Sequence, residues 1–305
     1  MNAPLITVVV TNYNYGRFLS HALDSVLAQS YPHIEVVAVD DGSTDNSLDA
    51  LRAYGSRVRV IHQENRGVSE ARNRGIREGR GELVAFLDAD DAWLPDKLSK
   101  QVALLESGDF GMVYCGLRCV DEDGNLLGEI TDGLSGRVLR ELALLETPGI
   151  PASGSSALIP KRCFEVVELF EPALSTSADW DLWRRIACRF PIGMVREPLV
   201  SYRLHGASMH RSLDLFEHDM LLAFERMFAD EAAKDVHPLE RRARAKLYMT
   251  LAGSFFRSRR WRKFIDYCGK SLILHPDGLI HLAGFPLRRL VPTARLDCLE
   301  RTVGR

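Results

Sequence analysis

No long apolar run, no paired-cysteine motif and no phosphate loop of a familiar kind occur in these 305 residues, and each absence closes off a class of function. The apolar runs fall short of the ~18 residues a spanning segment needs, so no transmembrane helix is expected. The opening MNAPLITVVV has no basic stretch ahead of its apolar residues and reads as a first strand, not a secretory leader, so a cytoplasmic protein is expected. The six cysteines form no CxxC pair, and no histidine follows Cys115 and Cys119 at zinc-finger spacing; buried free thiols in a reducing compartment are expected. Without GxxxxGK[ST], and without GxGxxG after the first strand, P-loop NTPases and ordinary dehydrogenases fit poorly. Neither sign of charge dominates: 39 Lys and Arg against 41 Asp and Glu leave a net charge of −2, and no nucleic-acid partner is expected. Hydrophobic residues at 46% and charged residues at 26% are globular values that exclude disorder.

The near-neutral sum is a cancellation. From Val236 to Arg305 there are 15 Lys and Arg against 5 Asp and Glu, while the rest of the chain holds 24 basic and 36 acidic residues. An acidic body with a basic end suits two jobs, or one job at a charged boundary.

The first hundred residues alternate strand and helix signals. Leu5–Val10 reads as a strand buried on both faces, and Phe18, Leu19, Ala22, Leu23, Val26 and Leu27 recur at helical spacing until Tyr31-Pro32. A strand at Ile34–Val39, a helix near 44–53, a strand at Val58–Ile61, a helix at Val68–Glu78 and a strand at Leu83–Leu87 follow. Strands joined by helical crossovers imply a parallel sheet covered on both faces. Past Asp91 the pattern predicts a helix from Pro95 to Leu105, a hairpin of Met112–Val120 with Asn125–Ile130, a functional loop at Thr147–Ser156 and a helix at Ala178–Cys188. From Leu213 onward only helices are predicted, near 215–232, 238–257 and 261–274.

Ligands of an open α/β sheet bind outside the carboxyl ends of its strands. Thr11-Asn12-Tyr13-Asn14, Asp40-Asp41-Gly42, the Asn65–Arg72 segment and Asp88-Ala89-Asp90-Asp91 each follow an apolar strand, so all four belong on one rim. A turn explains a single Asp-Gly, and a helix cap explains one of the last three carboxylates. Three crowded carboxylates repel unless a cation joins them, and Mn2+ or Mg2+ would, taking carboxylate and phosphate oxygens together. Nucleotide phosphates would then rest on the metal and on Arg66, Arg72 or Arg74, of which Arg72 is best placed.

The stretches TVVVTNYNYGRFLSHALDSVLAQSY, VVAVDDGSTDNS, NRGVSEARNRGI and GELVAFLDADDAWLPDKL resemble, in order and spacing, the nucleotide-binding half of family 2 glycosyltransferases across residues 5–105. The resemblance implies an α/β fold of the GT-A type, a Rossmann-like, mostly parallel central sheet flanked by helices, here with a C-terminal helical extension. It implies a nucleotide-diphosphate sugar donor, UDP-linked, whose base is held by Thr11, Tyr13 and Asp41, with Asn14 supporting the turn and Arg72 near the base or diphosphate. Asp90 becomes the direct metal ligand, Asp88 lies closer to the ribose, and Asp91 stands behind them or caps a helix.

An inverting transferase needs a carboxylate to take the acceptor proton. The candidate segment is Ser175-Thr176-Ser177-Ala178-Asp179-Trp180-Asp181. On the residues alone, capping by Ser177 with Asp179 and Asp181 favoured by the helix dipole explains it equally well. Family members carry Glu-Asp before an aromatic, Asp, Leu and Trp, and the resemblance therefore implies Asp179 as base, with Asp181 the lesser candidate. Ala178 stands where the family has Glu. That departure leaves open a nucleotide-sugar-binding protein of weak activity, and a nucleotidyltransferase of similar fold is the other alternative.

Trp183 is expected in the core, and Trp180 either there or under a sugar ring. Tyr202-Arg203-Leu204-His205 resembles the family's closing segment, with His205 reaching the metal or diphosphate, while Met209-His210 departs from it. The Gln-x-x-Arg-Trp motif of processive members is missing, so one sugar per encounter is expected. The expected domains are 1–212 for catalysis, divided into a nucleotide half (1–105) and an acceptor half (106–212), and a basic helical region at 213–305. The expected acceptor is a glycan or lipid-linked intermediate of surface polysaccharide synthesis. The basic helices suit either a solvated face or an anionic membrane surface at the inner side of the cell.

Overall fold

The apolar run that opens the chain forms β1 (Ile6–Asn12), and every residue in it is buried. The computed structural model, which describes residues 3–151, 153–206 and 212–276, continues with α1 (Gly16–Leu27), β2 (Ile34–Asp41), α2 (Ser47–Arg52), β3 (Arg59–Gln63), α3 (Val68–Glu78) and β4 (Leu83–Asp88). These follow the bounds expected from periodicity closely. β1 lies between β2 and β4, with β3 outside β2, and all three pairings are parallel. Successive β1 residues face opposite layers. Val8 and Val10 pack with Leu19, Leu23 and Leu51, while Val9 packs with Ile76 and Phe86. Each such fully buried side chain contributes about 1.5–3 kcal/mol. The register sets Thr11 beside Asp88 and Asn12 beside Asp40, so the expected rim exists.

The second half comprises β5 (Ala92–Trp93), α4 (Lys97–Glu106), β6 (Met112–Val120), β7 (Leu126–Ile130), α5 (Leu139–Ala143), β8 (Ala157–Pro160), α6 (Lys161–Val167), α7 (Ala178–Ala187) and β9 (Ile192–Arg203). The sheet runs β3-β2-β1-β4-β8-β6-β9-β5, with β7 on β6 in the expected hairpin. The strand β9 escapes periodicity because Arg196-Glu197-Pro198 interrupts it. Its ladder with β6 shifts register there, opposite Gly116. A Cβ on Gly116 would stand 2.5 Å from the Ile130 carbonyl oxygen and 2.8 Å from that of Glu197, so only glycine allows this approach.

Three helices close the described chain: α8 (Leu213–Ala229), α9 (Glu240–Arg257) and α10 (Trp261–Leu274), the first two linked by a 3-10 segment at Glu231–Leu239. Met220, Phe224, Leu247, Leu251 and Phe255 belong to the same core as Tyr114 of β6 and Trp183 of α7. The helical extension is therefore packed onto the α/β body. No described helix is long and apolar enough to cross a membrane. Cys115, Cys163, Cys188 and Cys268 are free thiols, as expected. Cys119 corrects that expectation: it is disulfide-bonded.

Candidate active site

A cavity of about 240 Å³ lies at the strand ends, lined by Thr11, Tyr13, Asp41, Arg72, Asp88 and Asp90 from the first half and Ser175, Thr176, Asp179 and Tyr202 from the second. At one end Asp41 accepts hydrogen bonds from Gln63 Nε2 at 2.8 Å and from the N–H groups of Arg66 and Gly67 at 2.9 and 2.8 Å. Asn14 adopts a left-handed φ of 58°, which asparagine tolerates. Its N–H donates to Ser43 Oγ at 2.9 Å and its Oδ1 accepts from the Thr44 N–H at 2.7 Å, so it joins the two turns. Tyr13 is half exposed at the rim.

Arg72 reaches into the middle of the cavity from α3 and is buried. Its Nη1 donates to Asp179 Oδ1 at 2.7 Å, and its Nη2 donates to both oxygens of Asp88 at 2.9 and 3.2 Å. Burial opposes the charge, but Asp179 and Asp88 outweigh it and hold the guanidinium protonated beyond its ordinary range. The remaining oxygen of Asp179 accepts from the Gly154 N–H at 3.0 Å. Burial raises the Asp179 pKa above its ordinary value; Arg72 opposes that rise and Asp88 adds to it.

Helix capping does not account for this segment. Ser177 occupies the cap position of α7 without a side-chain cap bond, and Asp179 turns both oxygens away from the helix end. Asp181 is engaged by Arg184 and Arg185, both at 2.9 Å or less, away from the cavity. Trp180 stacks on Phe224 with ring centroids 5.0 Å apart, which removes it as a sugar platform, and Trp183 is core. Ala178, where the resemblance expects Glu, is fully buried and does not line the cavity.

At the other end, His205 Nε2 and Asp90 Oδ2 stand 2.9 Å apart. Two cis ligands of an octahedral ion bound at about 2.1 Å are separated by about 3.0 Å, so this pair fits Mn2+ or Mg2+. Asp88 is occupied by Arg72 and by the Thr11 hydroxyl at 3.2 Å. No described group of three His, Cys, Asp or Glu side chains surrounds one point. Further ligands would come from phosphate and water. Asp91 caps no helix: it is buried, accepts from Ser155 Oγ at 2.6 Å and the Arg203 N–H at 3.0 Å, and has its pKa pushed well up by burial, then by Asp90 and Asp88. Arg74 pairs with Glu78 on α3 at 3.0 Å and Arg66 is exposed, which leaves Arg72 as the arginine in the cavity. Met209 and His210 lie outside the described residues.

A family model described as glycosyl transferase family 2 matches residues 7–162, half of the chain. The chain belongs to glycosyltransferase family 2. A Nostoc sp. glycosyltransferase is 37% identical over 224 residues, covering 68% of this chain and 67% of that protein. The chain spans only 35% and 34% of the length of two other curated relatives. S. aureus TarS in complex with UDP-GlcNAc superposes with a TM-score of 0.65 at 18% identity, covering 98% of this chain and 90% of that one. The mannosyltransferase PcManGT of Pyrobaculum calidifontis, solved with GDP-Man and Mn2+, gives 0.65 at 20%, covering 100% and 86%. The fold of this family 2 glycosyltransferase is thus GT-A. The family match ends before Asp179 and His205, whose placement rests on geometry.

Two segments of the candidate site carry no motif. In the Thr147–Ser156 loop, expected to be functional as a whole, Gly154 holds Asp179, and Ser155 accepts from the Asp88 N–H at 3.1 Å and takes the Trp93 indole on its carbonyl at 2.9 Å. On α8, fully buried Asp219 accepts from the Ser175 N–H at 2.9 Å and the Thr176 hydroxyl at 3.0 Å, holding the loop before Asp179. A lone acid in a mixed helix gives no sequence signal. A Cβ on Gly154 would meet Arg72 Nη2 at 2.9 Å, and that guanidinium is held from both sides. Gly154→Ala is expected to cost about 1–3 kcal/mol in thermal unfolding and to depress transfer; wild-type melting and rate would show that the bridge yields.

Proposed function

We propose that the chain transfers a sugar from a nucleotide-diphosphate sugar, UDP-linked, to a hydroxyl of a glycan or lipid-linked acceptor in surface polysaccharide synthesis, with inversion at the anomeric carbon. The observation that carries this reading is that Arg72 joins Asp88 to Asp179 across one cavity, between the Asp41 end and the Asp90–His205 end. The base would lie against Thr11, Tyr13 and Asp41. Asp90 and His205, with Asp88 beside them, would hold Mn2+ or Mg2+, which when bound supplies positive charge to the departing diphosphate. Asp179 takes the acceptor proton as the acceptor oxygen bonds to the anomeric carbon and the bond to the diphosphate breaks, releasing a nucleoside diphosphate. The catalytic unit would be 1–212, working at the inner face of the cell membrane. Nucleotide-sugar complexes of the two fold neighbours support the donor class.

A thermal-shift panel of nucleoside diphosphates and their sugars, with and without Mn2+, tests it. The largest shift is expected from a UDP-sugar with metal, and His205→Ala should lose the metal-dependent part. Release of pyrophosphate instead of a nucleoside diphosphate would make the protein a nucleotidyltransferase.

A further inference from the structure

Six large hydrophobic side chains are exposed among the described residues, and three of them, Trp261, Ile265 and Ile273, lie on α10 at 46%, 67% and 78% exposure. Trp261 and Ile265 are one helical turn apart on the same face. The turn leading into them is basic: residues 257–263 read RSRRWRK without an acid, and Arg257, Arg259, Arg260 and Arg262 are exposed. Arg260 pairs with Asp214 at 2.8 Å, and Lys263 pairs with Asp214 and Glu217, which ties the turn to the start of α8. Arg259 and Arg262 make no ion pair with a described residue. Asp219 lies five residues beyond Asp214, about 7.5 Å along the helix, and holds the Ser175–Ser177 loop at the cavity mouth. One rigid helix thus connects the basic, aromatic tip to the loop before Asp179.

We propose that the α9–α10 turn and the Trp261–Ile265 face of α10 dock on an anionic phospholipid bilayer, presenting the cavity mouth to an acceptor carried in that bilayer. The acceptor clause rests on the glycosyltransferase function proposed above; the docking does not. Charge alone would also serve a nucleic acid. A tryptophan and an isoleucine exposed between arginines match the boundary of headgroup and hydrocarbon, where an amphipathic helix buries its apolar face and leaves its cations among lipid phosphates.

The test is co-sedimentation of the full chain with vesicles of phosphatidylcholine alone or mixed with phosphatidylglycerol, at low and high salt. Binding is expected on the mixed vesicles at low salt and roughly tenfold weaker at high salt. Arg259→Ser with Arg262→Ser should weaken it similarly, and Trp261→Ser with Ile265→Ser should weaken it while preserving the salt dependence. Trp93, Trp180 and Trp183 are buried, so acrylamide quenching reads Trp261, and mixed vesicles should protect it. Thermal shifts with UDP on the same preparations should match wild type in both variants, so a lost surface is distinguishable from a lost donor site. Absence of salt-sensitive vesicle binding, wild-type binding in both variants, or retention on duplex DNA but not on vesicles would each overturn the docking. Docking by a chain that binds no nucleotide sugar would overturn the acceptor clause alone.

Discussion

Asp179→Asn is expected to lower kcat/KM by roughly 10²–10⁴-fold, the contribution of a positioned general base. Nucleoside diphosphate affinity should be nearly unchanged. The amide keeps the size of the side chain and one acceptor for Arg72 or the Gly154 N–H, but no longer takes a proton. The pH profile adds a second reading of the same residue. The base acts deprotonated, and burial raises its pKa above 3.8, opposed by Arg72 and assisted by Asp88. The acid limb of kcat/KM should therefore lie above the ordinary carboxylate range, with activity lost as pH falls through it, and that limb should disappear in the variant. Full activity in Asp179→Asn would remove Asp179 from the role.

Arg72→Met is expected to be the most destabilising single change in the site. It leaves Asp88 and Asp179 facing each other without the cation that now bridges them at 2.9 and 2.7 Å. Removing one partner of such a buried network costs about 3–5 kcal/mol, or a fall in Tm on the order of 10 °C. The contact of the guanidinium with the Phe170 ring, 5.2 Å from its centroid, is lost as well. In the protein that remains folded, the acid limb attributed to Asp179 should move further up, because its main stabilising charge is gone. Arg72→Lys should fall between, since one ammonium cannot span both carboxylates with a planar fork. Melting curves and pH–rate profiles of the two variants decide it. An unmoved limb together with an unchanged Tm would mean that the bridge is not energetic.

Much of the first half was legible because its physics is local. β1 and β4 are buried on both faces and therefore read as apolar runs, and α3 reads from its 3.6-residue period. Parallel registry then requires Asp40, Asp41 and Asp88 to share a rim with Thr11. The second half was less legible. β9 is broken by Pro198 and completed only by a register shift opposite Gly116, a pairing that exists once β6 is beside it. For Asp179 the residues alone left capping and catalysis equal. The structure removes capping through partners distant in sequence, since one oxygen faces Arg72 and the other the Gly154 amide.

The sequence by itself determined the order of strands and helices in the first hundred residues, the acidic rim and the split between an acidic body and a basic end. These follow from hydrophobic periodicity, strand-end position and composition, all properties of short stretches of chain. Only the tertiary structure decided that Arg72 meets an aspartate 107 residues away, that Asp219 holds the loop before that aspartate, that Trp180 is core, and that Trp261 lies exposed beside arginines. Each depends on how α7, α8 and α10 pack on the sheet, and side chains brought together by packing share no local spacing from which their meeting can be read.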